Sequence, residues 1–233
     1  MTLLMSPTPS RRHVLCQIGS IGCLALAWPA FAANSVSWRG IDAPLRFTAY
    51  RNGKFLGSHQ INFSKLGTQL VVDIEIAFDV KLAFIPLYSY RHTNREIWED
   101  GKLISLKAET DDNGTAFNVT AERVGDRLHV DGSGGKLDLP HETLTTSYWN
   151  EDAVDAGVWL DTQAGNLVRS TVTKRKLETV TVEGVPVDAV PYDLDGDITC
   201  RLWYAEGRWV KLSFLGEDGS TIDYALEKSD ERT

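Results

Sequence analysis

Between Leu70 and Leu82, apolar side chains occupy every second position: Leu70, Val72, Ile74, Ile76, Phe78, Val80 and Leu82, with Asp73, Glu75, Asp79 and Lys81 between them. An alternation of period two held this long predicts a β-strand with one dry and one wet face, because successive side chains leave a pleated backbone on opposite sides. At about 3.3 Å per residue it would run roughly 40 Å, well beyond the usual ~17 to 20 Å, as expected of a strand curling around a barrel or half-barrel.

The same alternation recurs on both sides. Leu45, Phe47 and Ala49 lead to Asn52-Gly53, and Ile61 and Phe63 continue beyond it. Asn-Gly between apolar alternations predicts a tight hairpin, since both central residues of the favoured turn need positive φ. Leu66-Gly67, Asp100-Gly101, Asn113-Gly114, Gly125-Asp126 and Gly132 are further breaks. Between the later ones lie Ile104 and Leu106, then Phe117, Val119 and Ala121, then Leu128 and Val130. Ala83 to Leu87 is continuously apolar and contains Pro86, which cannot donate in a ladder, so it reads as a loop or rim bend. Consecutive strands with short links predict an antiparallel meander.

One strand departs from the rule. Tyr88, Tyr90, His92, Asn94, Glu96 and Trp98 share one face, and Ser89, Arg91, Thr93, Arg95 and Ile97 share the other. Two arrangements fit. Either the strand is an exposed or edge strand with both faces wet, or the first face points inward and carries polar groups that must be paired or hydrated.

The pattern fails from Pro140 to Gly157. There Asn150 fits an N-cap, Glu151 and Asp152 a first helical turn, Trp149 and Val154 a hydrophobic staple, and Gly157 a C-terminal stop, so one or two helical turns are expected near 150–157. Strands return over Leu167 to Lys176, Thr179 to Val182 and Val185 to Tyr192, with Glu183-Gly184 as a two-residue turn. A three-residue loop, Ala205 to Gly207, would pair Leu202 with Val210 and Cys200 with Leu212, and set Trp203 against Trp209; Glu217 to Gly219 would pair Phe214 with Ile222 and Leu212 with Tyr224.

The N-terminal residues read as a targeting segment. Arg11 and Arg12, the apolar run Ile18 to Ala27 and the small-residue site Ala30-Phe31-Ala32 form a secretory signal peptide over residues 1–32, too short to span a bilayer. The paired arginines resemble a twin-arginine export signal, although Val14 stands where that signal usually has Phe, and a general secretory route also fits. A periplasmic or secreted location follows. Without the signal the chain carries 22 basic and 32 acidic side chains, a net charge of −10, which argues against nucleic acid and anionic lipid headgroups as partners. Cys16 and Cys23 leave with the signal, so Cys200 has no partner in the mature chain and reads as a core thiol. Residues 40–227 are expected to form a single β domain, and 228–233 a frayed tail.

Ser147, Tyr148, Trp149 and Asn150, with Asp195-Gly196, Leu202-Trp203-Tyr204 and Asp218-Gly219-Ser220, resemble a family of exported bacterial proteins known as a domain of unknown function. The resemblance covers roughly residues 40 to 227. It implies an all-β single domain akin to periplasmic proteins with open-barrel sheets, and supplies no catalytic residues.

No GxSxG, Walker, HExxH or CxxC motif is present, and no cofactor is expected. His59, His92, His129 and His141 lack metal-ligand spacing. Asp193, Asp195, Gly196 and Asp197 open like a calcium loop, but Tyr204 stands where its closing Glu belongs, and a charged turn is the simpler reading. A hydrolase would draw on His92 with Glu96, or on His141 and Glu142 with Ser147. Binding is the better expectation. Tyr88, Tyr90, His92, Glu96 and Trp98, capped by Trp149, combine aromatic walls with a few polar groups, as sites for apolar or amphipathic molecules do in barrel mouths. The chain is thus expected to be an all-β protein, an antiparallel open or closed barrel-like sheet, holding such a molecule or serving in envelope maintenance.

Overall fold

The computed structural model describes residues 41, 43–82 and 85–227. The segment read as a signal peptide (residues 1–32), Ala83, Phe84 and the residues from 228 lie outside the described residues. In chain order the elements are β1 (Leu45–Arg51), β2 (Lys54–Leu66), β3 (Gln69–Leu82), β4 (Ile85–Glu99), β5 (Lys102–Asp112), β6 (Thr115–Val124), β7 (Arg127–Gly132), β8 (Gly135–Pro140) and β9 (Leu144–Thr145). Then follow α1 (Glu151–Val154), β10 (Val158–Leu160), β11 (Leu167–Lys174), β12 (Glu178–Val182), β13 (Val185–Gly196), β14 (Cys200–Ala205), β15 (Arg208–Leu215) and β16 (Thr221–Leu226).

All sixteen strands join one sheet. β1 to β8 form one meander, and β1 also pairs with β16, Phe47 opposite Leu226, so the first and last strands adjoin at the middle. From β16 the order runs through β15, β14, β13, β11 and β10 to β9, with β12 alongside β13. The expected antiparallel meander holds except at β9 and β10, which pair in parallel. These two short strands lie in or beside the stretch whose alternation fails, and three residues are too few to display a period. The sheet is open: its edges β8 and β9 do not pair as strands. The turn between β7 and β8 meets the loop between β10 and β11, where the Gly134 N–H donates to the Ala164 carbonyl (2.7 Å).

The turns follow from local chemistry. Asn52 and Gly53 have φ of 49° and 74°, the double positive φ of the mirror-image two-residue turn. Beside it, the β1–β2 register shifts between Ala49 and Tyr50, and the Gly57 backbone lies so near β3 that a Cβ would meet the Ala77 carbonyl oxygen at 1.9 Å. Asn150 caps α1, its side chain accepting from the Asp152 N–H (3.0 Å), as expected.

Three local expectations are corrected. Ile85 to Leu87 belong to β4, Pro86 standing opposite Lys81 beyond a register shift at Val80. On β5 the residue facing inward before Leu106 is Leu103, since a shift beside Trp98 leaves Ile104 as the extra residue. The β14–β15 connection is a two-residue turn at Glu206-Gly207, with Tyr204 opposite Trp209 and Leu202 opposite Leu212. A bulge at Trp203/Tyr204 absorbs the residue that parity had assigned to the loop. Trp203 and Trp209 therefore do not meet. Trp209 is buried inside, while the Trp203 indole donates to Glu178 (2.6 Å) with the Lys211 ammonium 4.7 Å from its ring centre. The β15–β16 register is as expected, Phe214 opposite Ile222 and Leu212 opposite Tyr224.

Candidate functional site

β4 lies between β3 and β5, so the edge-strand arrangement is excluded. Its face of Tyr88, Tyr90, His92, Asn94, Glu96 and Trp98 points inward, and none of the six exceeds 4% exposure. Strand pairing builds three consecutive rows across this inner surface. His59, Ile76, His92 and Thr110 form one row; Phe78, Tyr90 and Asp112 lie on one side of it, and Ile61, Ile74, Asn94 and Ala108 on the other. The outer surface is different in kind: a groove of about 470 Å³ there is lined by charged residues that pair with one another, Arg95 with Asp73 (2.6 Å) and Lys107 with Glu109 (3.0 Å).

At one end of the inner face Glu96 is wholly buried among apolar neighbours, with Val72 and Leu106 directly opposite it. Oε1 accepts from Asn94 Nδ2 (2.9 Å). Oε2 accepts from the indole N–H groups of Trp98 (2.9 Å) and Trp149 (3.2 Å) and from the Ser147 hydroxyl (3.3 Å). All four donors are neutral. Burial pushes the carboxyl above its ordinary range, and the hydrogen bonds oppose that shift. Trp149 reaches this point from the segment that follows β9, where Tyr148 has φ of 58°, a costly conformation for a bulky side chain. Trp149 then packs edge-on against Trp98 (5.7 Å between centroids) and Phe63 (5.8 Å). The Tyr148 carbonyl is held by the Tyr204 hydroxyl (2.6 Å).

The other end carries aromatic rings and less completely paired polar groups. His92 Nδ1 lies 2.8 Å from Thr110 Oγ1, and the Tyr90 hydroxyl donates to Gln163 (3.1 Å). His59 stands edge-on to Trp209 (5.4 Å) and Tyr224 (5.7 Å), with Phe47 at 6.1 Å, and neither of its ring nitrogens has a protein partner. Burial pushes the pKa of His59 down to about 3, with His92 adding to the effect, and burial pushes that of His92 down to about 4. Both rings are neutral at pH 7.

The structure turns Tyr88, Tyr90, His92, Glu96 and Trp98 to the interior along the length of β4, and Trp149 meets Glu96 and Trp98 at one end of that row. It does not bring His92 and Glu96 together as an acid/base pair: they are four residues apart on one strand, about 13 Å along it, and bond different partners. His141 contacts Lys102 (2.7 Å), the Asp126 carbonyl (3.0 Å) and Glu142 (3.1 Å), whereas Ser147 bonds Thr145 (2.7 Å) and Glu96. Asp193 is held by Arg201 and Arg175. Burial raises the Cys200 thiol to about 12, which makes it a poor nucleophile. Among the described residues no group of three His, Cys, Asp or Glu is placed to hold a metal ion, and no helix is long and apolar enough to cross a membrane. His59 and Asp112 were not placed inside by the sequence reading, which puts Asn94 on the β4 face without naming it among the binding residues. His59 shares the parity of Ile61 and Phe63, a signal that would have placed it inside.

An open, curled antiparallel sheet with a loop and a short helix reaching its interior defines the class, a β-barrel-like domain. Residues 47–227 match the family model described as Domain of unknown function (DUF6134), and the chain belongs to that family. It is also similar to a solved beta-barrel-like protein of domain of unknown function DUF1849 from Brucella abortus, with a TM-score of 0.54 and 15% identity over 80% of this chain and 94% of that one. At that identity the likeness concerns the fold alone. No curated protein matches the chain.

Proposed function

We propose that this chain is an exported, non-catalytic β domain that holds an apolar or amphipathic small molecule against the inner face of β2 to β5, in the service of the cell envelope. One observation carries the reading. The inner face sets aromatic rings, Tyr90, Phe78 and Trp209 among them, beside shielded polar atoms that the protein does not pair, an arrangement that suits a molecule with a long apolar part and few polar groups. The Glu96 end, with each carboxylate oxygen engaged, closes the interior and orders its wall.

Native mass spectrometry of protein recovered from its own periplasm tests this. A retained adduct of lipid size is expected, and it should be lost in Tyr90→Ala and Trp98→Ala variants that keep the circular dichroism of the parent. A bare mass for the parent protein, or full retention of the adduct in both variants, would defeat the reading.

A further inference from the structure

Four shielded atoms in the described interior have no protein partner: both ring nitrogens of His59, Asn94 Oδ1 and Asp112 Oδ1. They belong to the three consecutive rows that share β4's inward face. Native proteins leave few such groups, because nothing then offsets the hydration lost on burial. The composition of the set defines a complement. Asn94 and Asp112 each present an acceptor, and a neutral His59 presents one acceptor and one donor, so three of the four atoms call for O–H or N–H groups.

The charge of the complement is constrained as well. Among the described residues no Lys or Arg is buried, while Glu96 and Asp112 are. An anionic headgroup taken inside would find no buried Lys or Arg among the described residues to neutralise it, which is strongly unfavourable in a dry interior. A cationic one would have to shed its hydration beside His59, where burial already holds a basic ring in its neutral form.

Building on the proposed binding function, we infer that His59, Asn94 and Asp112 mark the polar stretch of the interior site, and that its ligand is an uncharged amphiphile bearing hydroxyl groups rather than a fatty-acid carboxylate. The hydroxyls donate to acceptors within the set of Asn94 Oδ1, Asp112 Oδ1 and the ring nitrogen of His59. The remaining His59 N–H donates to a ligand oxygen, and the hydrocarbon lies along the aromatic rings.

Three probes with one acyl chain separate the terms: monoolein, which carries hydroxyls, methyl oleate, which has no donor, and oleate, which is anionic. Titrated at pH 7.5 with tryptophan fluorescence as the readout, monoolein should bind at least tenfold more tightly than either of the others. His59→Phe should remove most of that advantage and leave methyl oleate unchanged. Asp112→Ala, on a different strand, gives the same readout should His59→Phe fail to fold. Equal binding of the three probes would overturn the polar stretch while leaving an apolar site standing. No binding of any probe, together with a bare mass for the native protein, would remove both. An advantage for monoolein that survives both substitutions would place the polar contact elsewhere and also overturn the inference.

Discussion

The indole N–H of Trp149 lies 3.2 Å from Oε2 of Glu96, although 53 residues separate the two in the chain. This bond ties the segment before α1 to the inner face of β4. Because every partner of the carboxyl group described above is a donor, Glu96→Leu leaves the indole N–H groups of Trp98 and Trp149 buried without their acceptor. Loss of about 1–3 kcal/mol of unfolding free energy is expected in chemical denaturation. A variant as stable as the parent would mean that these donors do not converge on residue 96.

Acid should destabilise the fold at a higher pH than surface carboxylates would dictate. The folded-state pKa values of His59 and His92 are depressed to about 3 and about 4, whereas an unfolded His takes up a proton near its ordinary value of 6.5. Below 6.5 the unfolded chain binds protons that the fold refuses, so stability declines as pH falls through that window. Glu96 acts in the opposite sense: its raised folded pKa makes its contribution largest below the unfolded value and smaller as pH rises. Between pH 7 and 5 the two histidines lower stability as acid is added, and Glu96 opposes them. His59→Phe should shrink the stability difference across that interval by about 2 kcal/mol, as read from denaturation midpoints at the two pH values. An unchanged difference would show that His59 is hydrated or already paired with an acid.

Gly57 stands where the β1–β2 register shifts, and its backbone nearly touches that of Ala77. Gly57→Ala places a methyl group against a main-chain carbonyl that cannot swing aside, so a loss of at least about 2 kcal/mol is expected. Thermal denaturation measures it, and a normal melting temperature would contradict the close approach.

The twin-arginine reading of the leader is open to a direct trial. Replacing Arg11 and Arg12 with Lys should leave the protein in the cytoplasm on cell fractionation. Unimpaired export would point to the general secretory route instead.

How far the sequence carried these conclusions varied with the range of the interaction. The alternation from Leu70 to Leu82 and the Asn52-Gly53 turn are local signals, and both correspond to what the fold contains. The six-residue face of β4 was legible as a unit. Its direction was not, because polar residues on both faces leave period two without a sign, and only pairing with β3 and β5 supplies it. Ser147 and Trp149 come to Glu96 through a strained loop that has no period at all. The β14–β15 register was misread because parity assumes an unbroken ladder, and a single bulge at Trp203 reverses it. Ile104 is a second case of the same effect.

A crystal structure of protein purified from its native compartment without detergent or lipid extraction tests the central claim most directly. Elongated electron density inside the sheet, within hydrogen-bond reach of His59 and running along Tyr90 and Trp209, is the predicted result. An interior filled by side chains and isolated water molecules alone would contradict it.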